Sequence, residues 1–160
     1  MVSLMSRASV IFTVTLMFFL LGSGVVRRAF ADDDEIASYA IVQKDGSLRV
    51  SGHTIWLYGI YIPDTNRICR TFIRPVKCMP RAVLQLDFKI GSNFVHCDPV
   101  TKNADGSLNA VCRVKDEDLG AWMVKYGWAV ALPDAPFEYT VLEKIAREGN
   151  RGIWGRVIDR

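Results

Sequence analysis

Alternating apolar and polar side chains in the middle of the chain predict a β-strand over residues 52–61. The apolar side chains of Ile55 and Leu57 alternate with the aromatic side chains of Trp56 and Tyr58, and a glycine then interrupts the run. A proline follows at position 63, and proline has no N–H to donate to a neighbouring strand. The strand is therefore expected to end near Tyr61.

The residues before this strand predict two more strands joined by tight turns. Residues 37–43 and 48–51 are strand-like runs, and the Asp45-Gly46 pair between them is a strong turn signal. Gly52 allows a second tight turn before the central strand. Three short strands in succession form a meander, which indicates a small barrel rather than a parallel sheet.

Further along the chain, apolar residues recur at helical spacing three times. A helix is expected to begin near Pro80 and to end at Gly91, because proline suits a first turn and glycine a C-terminal stop. Three acids at residues 116–118 precede a second helix that should end at Gly127. The third helix is expected over residues 138–148.

Together these patterns predict an α+β fold that is mainly β. Strand-like runs at residues 93–97 and 108–114 bring the number of expected strands to five, and residues 128–132 are either a short strand or an extended segment. Five short strands with interleaved helices predict an OB-type barrel with about three covering helices. Ile153 and Trp154 are expected to pack back on the core. No internal repeat is expected.

The first 31 residues have the composition of a secretory signal. A basic residue precedes the apolar run at 10–21, and Ala29-Phe30-Ala31 is a small-x-small cleavage site that is followed by acids. We therefore expect cleavage after residue 31, export to the periplasm or the extracellular space, and one domain over residues 32–160 without a transmembrane segment. The alternative is an uncleaved anchor, because residues 8–26 approach spanning length.

The charge of the expected exported chain disfavours bulk nucleic acid as a partner. The whole chain has 20 Lys+Arg and 17 Asp+Glu, and residues 1–31 hold three arginines and no acid, which leaves 17 of each sign. Binding to nucleic acid depends mainly on neutralising phosphates with basic residues. A net charge near zero fits a partner of neutral or mixed charge, such as a polysaccharide.

The four cysteines are expected to form two disulfides, because an even number in an exported chain indicates oxidation. Three pairings are possible. Folding residues 93–114 as a hairpin about Ala104 and Asp105 places Cys97 opposite Cys112, and the remaining pair is then Cys69–Cys78. A metal site is the alternative, but no Cys-x-x-Cys motif occurs and the chain has only two histidines.

Over about residues 39–155 the chain resembles the staphylococcal-nuclease-like (thermonuclease) domain family, and three stretches carry the resemblance. Residues 55–64 resemble its Ile-Arg-Leu-x-Gly-Ile-Asp-x-Pro-Glu signature, residues 118–129 its Val-Arg-x-Gly-x-Ala helix end, and residues 149–155 its Gly-Leu-Trp ending. The three occur in the family's order and spacing. The resemblance implies an OB-type barrel, here in an exported variant with four cysteines.

The resemblance also implies where phosphodiester hydrolysis would occur, and most of those positions are substituted. The family places its first metal carboxylate, first arginine clamp, second metal carboxylate, general base and last arginine at positions that here hold Gly46, Trp56, Tyr61, Asp64 and Ser107. Asp45 is a local replacement for the first carboxylate. Tryptophan and tyrosine can neither clamp phosphate as arginine does nor ligate Ca²⁺ as a carboxylate does.

These substitutions predict an exported nuclease-like domain that has lost catalysis. It would act as a binding or accessory module in the cell envelope, with a polymer or an envelope protein as its partner and no cofactor. One alternative is a Ca²⁺-dependent phosphodiesterase that cleaves DNA or RNA with Asp64 and Asp45 as residual catalytic carboxylates. A structural envelope protein with no ligand is the other.

Two groups of side chains are candidate binding residues. Trp56, Tyr58 and Tyr61 would form an aromatic floor if they shared the outward face near the cleft, although half-buried barrel aromatics are the alternative. A basic loop is either an anion or partner site or simply a solvated loop. That loop carries Arg67, Arg70, Arg74 and Lys77. For Asp45 and Asp64, the alternative to catalysis is a role in turns.

Overall fold

Five strands close into a barrel in the computed structural model, which describes residues 35–69 and 76–155. The expected signal segment, and Arg70 and Arg74 of the basic loop, lie outside the described residues. Within the described ranges, no helix is both long enough and apolar enough to cross a membrane.

The strands are short and the helices number three in the described part of the chain. The strands are β1 (Ile36–Val42), β2 (Leu48–Val50), β3 (His53–Leu57), β4 (Ile60–Tyr61), β5 (Ile68–Cys69), β6 (Val76–Lys77), β7 (Phe94–Lys102), β8 (Leu108–Val114), β9 (Glu117–Asp118) and β10 (Val130–Ala131). The helices are α1 (Cys78–Ile90), α2 (Leu119–Lys125) and α3 (Phe137–Glu148), and a 3-10 turn spans Gly152–Trp154.

The barrel closes because β3 pairs with two neighbours that run in opposite directions. Ile55 lies opposite Leu48 in the antiparallel β2–β3 pair and opposite Leu108 in the parallel β3–β8 pair. The remaining barrel contacts, β1–β2, β1–β7 and β7–β8, are antiparallel. This closed, mixed five-stranded barrel with three helices confirms the predicted OB-type α+β fold.

The helix ends follow the expected local chemistry. Pro80 lies in the first turn of α1, where an N–H would have no partner inside the helix, and α1 stops at Gly91, whose positive φ of 54° favours glycine. Asp118 caps α2 by accepting a hydrogen bond from the Ala121 N–H at 3.0 Å. Helix α1 buries one stripe, Ala82, Leu86 and Ile90, against the barrel.

The central strand is shorter than the sequence predicted. Strand β3 ends at Leu57, because Gly59 takes a positive φ of 73° and turns the chain. Residues Ile60 and Tyr61 then leave the barrel and form β4, which pairs with β10. The turn is held by a hydrogen bond from the Leu132 N–H to the Gly59 carbonyl at 2.9 Å. The expected strand at residues 52–61 is therefore two strands in two different sheets.

Both predicted disulfides are present, and a β-bulge aligns one of them. The β7–β8 turn closes at the pair Lys102–Leu108, and without interruption that register would place Cys97 opposite Arg113. The register shifts between Pro99 and Thr101, and this extra residue brings Cys97 opposite Cys112, where they bond. The prediction placed the turn one residue tighter and included no bulge. The longer turn and the bulge shift the strand register in opposite directions, so the predicted cysteine pair is still correct.

The second disulfide joins Cys69 of β5 to Cys78 at the start of α1. The predicted irregular segment before α1 thus contains a small two-stranded ribbon. Two disulfides with no free cysteine among the described residues indicate an oxidising environment. Ile153 packs on this disulfide, so the expected terminal contact forms with a small satellite cluster rather than with the main core.

Candidate binding cleft

The outer surface of the barrel has a cleft beside the C-terminal end of β3. We call it the Tyr61 cleft; its volume is about 190 Å³. The β1–β2 turn, the end of β3, β4 and the start of α1 all contribute to its walls. It is lined by Asp45, Gly46, Trp56, Leu57, Ile60, Tyr61, Ile62, Asp64 and Met79.

Four of the five positions that the resemblance assigns to catalysis meet in this cleft. Gly46, Trp56, Tyr61 and Asp64 all line it, whereas Ser107 is buried in its own turn between β7 and β8. These four residues thus share one cleft. No lysine or arginine of the described residues lines the Tyr61 cleft.

A side chain at position 46 would be strained and would displace a neighbour. Gly46 has a φ of +88°, and a Cβ there would lie 2.6 Å from the Ile62 Cδ1 atom. The neighbouring Asp45 uses one carboxylate oxygen to cap the turn: Oδ1 accepts from the Ser47 N–H at 2.9 Å and from the Ser47 hydroxyl at 2.7 Å. The structure thus gives Asp45 the turn role considered above, with its second oxygen left over.

The same turn occurs a second time, away from this cleft. Asp105-Gly106-Ser107 repeats Asp45-Gly46-Ser47, and Asp105 accepts the same two hydrogen bonds from Ser107 at 2.9 and 2.7 Å. These hydrogen bonds hold the pKa of the Asp105 carboxyl below its usual range. The short recurrence Asp-Gly-Ser-Leu, at residues 45–48 and 105–108, is the sequence signal of this second turn.

Within residues 35–69 and 76–155, no three His, Cys, Asp or Glu side chains are grouped to hold a metal ion. Ca²⁺ in proteins takes six to eight oxygen ligands. The cleft offers the Asp64 carboxylate, which is exposed, and the remaining oxygen of Asp45. These two groups alone supply too few ligands for a Ca²⁺ site.

The three candidate aromatic side chains do not share a single cleft. Trp56 and Tyr61 line the Tyr61 cleft and are 36% and 55% exposed. Tyr58 faces a second cleft, and its hydroxyl donates to the Asp134 carbonyl oxygen at 3.2 Å. Trp56 lines both clefts.

We call this second depression the Asn109 cleft; its volume is about 280 Å³. The walls of this cleft come from four separated parts of the chain, so the local sequence pattern did not indicate it. It is lined by Trp56, Leu57, Tyr58, Gly59, Ile60, Thr101, Asn109, Leu132 and Asp134.

The described cations of the basic loop have structural partners. An Arg67 guanidinium nitrogen donates to the Ile153 carbonyl oxygen at 2.9 Å and so ties the loop to the 3-10 turn. The Lys77 ammonium donates to the Asn66 side-chain oxygen at 3.1 Å. Neither side chain lines either cleft, so these two cations do not form an anion site there.

Comparison with known proteins supplies no relative from which a function could be transferred. No family model matches the chain, and no curated protein matches it. The function of the site is therefore inferred from the side chains that line the two clefts. They offer aromatic and aliphatic surface with carboxylate, amide and hydroxyl oxygens, which suits binding better than the stabilisation of a developing negative charge.

Proposed function

We propose that this chain is an exported, disulfide-stabilised domain of the staphylococcal-nuclease-like family that has lost phosphodiester hydrolysis and acts as a binding module in the cell envelope. The proposal is based on the side chains that line the Tyr61 cleft. Aromatic side chains stand at two positions where the family has charged catalytic groups, Trp56 for an arginine and Tyr61 for a carboxylate.

Phosphodiester hydrolysis needs groups that this cleft lacks among the described residues. Cations must stabilise the charge that develops on the phosphoryl oxygens, and a metal must be held by several oxygen ligands. An indole and a phenol provide neither. They do provide broad, partly exposed apolar faces, which favour the binding of a ligand over its cleavage.

A nuclease assay with a matched control tests the loss of catalysis. The disulfide-bonded protein would be incubated with heat-denatured DNA and with RNA, in Ca²⁺ and in chelator. Asp64→Ala would be compared with Asp105→Ala, which removes a carboxylate from the turn outside the Tyr61 cleft. We expect no cleavage by any of these proteins in either condition.

The second candidate function is a Ca²⁺-dependent phosphodiesterase. It is favoured by one observation, that Asp45 and Asp64 line the same cleft. Its signature would be chelator-sensitive cleavage that disappears in Asp64→Ala and persists in Asp105→Ala. That result would overturn the proposal of a catalytically inactive module.

A further inference from the structure

The Tyr61 cleft and the Asn109 cleft share part of their lining, and we treat them together as one groove with two halves. Both are lined by Trp56, Leu57 and Ile60, so they meet along β3 and the turn that follows it. Trp56 belongs to both linings and is 36% exposed. A ligand that filled both halves would therefore be able to contact Trp56.

Strand register places polar side chains beside that ring. Trp56 of β3 lies opposite Asn109 of β8, and Asn109 lies opposite Thr101 of β7. Side chains at directly paired positions project from the same face of a sheet. One tryptophan, one amide and one hydroxyl therefore form a row across three strands of the barrel.

The amide of Asn109 is fixed so that it can accept a hydrogen bond. Its nitrogen donates to the Thr101 hydroxyl oxygen at 2.9 Å and to the Asn103 side-chain oxygen at 3.0 Å, which uses both hydrogens. Asn103 in turn donates to the Ser107 hydroxyl at 2.9 Å, so the second Asp-Gly-Ser turn holds the network in place. The carbonyl oxygen of Asn109 is left to accept from a ligand.

Most other polar groups of the groove also accept. Asp134 lines the Asn109 cleft, and Asp45 and Asp64 line the Tyr61 cleft. Lysine and arginine are absent from the lining of both halves in the described part of the chain. A phosphate or carboxylate ligand needs donors and cations, and it would meet three carboxylates instead.

From this combination we infer that the groove binds a saccharide chain that carries no anionic group, with Trp56 packed against a sugar ring at its centre. Sugar hydroxyls can donate to the Asn109 carbonyl oxygen and to the carboxylates of the groove, and the apolar face of a pyranose ring suits an indole. Nucleic acid brings one phosphate per nucleotide and is disfavoured by the same carboxylates. This inference rests on the proposed function and specifies its ligand class.

Calorimetric titration of the native, disulfide-bonded protein tests the ligand class. The probes are a hexamer of β-1,4-linked N-acetylglucosamine, its de-acetylated amine form, a hexagalacturonate and a DNA hexamer. We expect the neutral and amine saccharides to bind, the amine form more tightly at low salt because of the carboxylates, and the two anionic chains not to bind.

Three variants locate the site. Trp56→Ala should weaken saccharide binding about tenfold, since removing a stacking platform for a ring has effects of that order, while Trp56→Phe should keep most of the affinity. Tyr39→Ala removes an aromatic side chain that is 63% exposed on β1, outside the groove, and should leave binding unchanged. Urea midpoints would verify that each variant is folded.

Three results would overturn the inference: no binding of either saccharide, tighter binding of the DNA hexamer, or equal affinity in Trp56→Ala and the unchanged protein. The nuclease assay tests the proposed function separately. A protein that neither cleaves nucleic acid nor binds a saccharide refutes the ligand class alone, whereas metal-dependent cleavage refutes the loss of catalysis.

Discussion

Replacing Gly152 with alanine should detach the C-terminal 3-10 turn from the rest of the domain. Gly152 has a φ of +53°, and a Cβ added there would lie 2.1 Å from the Gly127 carbonyl oxygen. The Ile153 N–H donates to that same oxygen at 2.8 Å, so the two chain segments cannot move apart without breaking the hydrogen bond. The contact is backbone against backbone, and no rotamer change can relieve it.

The expected loss in the free energy of unfolding of Gly152→Ala is the sum of three contributions. The positive φ costs an alanine about 1 kcal/mol, and the lost hydrogen bond costs about 1 kcal/mol more. Ile153 is 5% exposed and would leave the cluster around the Cys69–Cys78 disulfide, which costs about 1.5–3 kcal/mol. The sum, about 3.5–5 kcal/mol, is a large part of the stability of a typical domain, about 5–15 kcal/mol.

Gly52→Ala is the matched control. Gly52 also has a positive φ, +85°, in the β2–β3 turn, but nothing lies within 4 Å of an added Cβ. This variant should therefore lose only the backbone contribution, about 1 kcal/mol. Urea unfolding followed by tryptophan fluorescence and by circular dichroism would measure both variants. If Gly152→Ala were within about 0.5 kcal/mol of Gly52→Ala, the proposed close contact would be refuted.

Three further predictions use the twin turns and the buried tyrosine. Gly46→Ala should be more destabilising than Gly106→Ala by about 0.5–1.5 kcal/mol in urea unfolding, because the two turns have similar φ but only the first would meet a side chain. Tyr139→Phe should cost about 1.5–3 kcal/mol in the same assay, since the buried hydroxyl donates to the Asp118 carboxylate at 2.8 Å. Burial and this carboxylate raise the pKa of Tyr139. The contribution of Tyr139 to the free energy of unfolding should therefore be complete below its unfolded pKa, near 10, and be lost as the pH rises beyond that value. An unchanged alkaline unfolding profile in Tyr139→Phe would contradict this. The pKa of Asp105 is lowered, so its stabilising contribution should be present above pH 3.8 and disappear as the pH falls through the lower folded value; acid titration of Asp105→Asn should lack this loss.

Local sequence signals predicted the elements whose ends depend on one or two residues. Gly91 ends α1 and Asp118 begins α2, because a glycine with positive φ and a carboxylate cap act within a single turn of chain. Such signals need no distant partner. The helices, the turns and the existence of the five barrel strands were accordingly predictable, although β3 ends four residues earlier and β7 five residues later than predicted.

The central strand shows where local signals are insufficient. Residues 52–61 look like one strand, yet Tyr61 pairs with Val130 in a different sheet from β3. The turn that separates the two strands is held by the hydrogen bond from the Leu132 N–H to the Gly59 carbonyl. Leu132 lies more than 70 positions away in the chain, so the local sequence pattern does not indicate this contact. The Cys97–Cys112 pairing was predicted correctly although the β-bulge that aligns it was not.

The sequence by itself determined that this chain forms a small, disulfide-stabilised barrel. Only the tertiary structure decided which side chains share a cleft. Strand register brings Trp56, Asn109 and Thr101 into one row, and Tyr58 and Tyr61 line different clefts. Side-chain identity is local, but the sharing of a groove depends on contacts between distant strands.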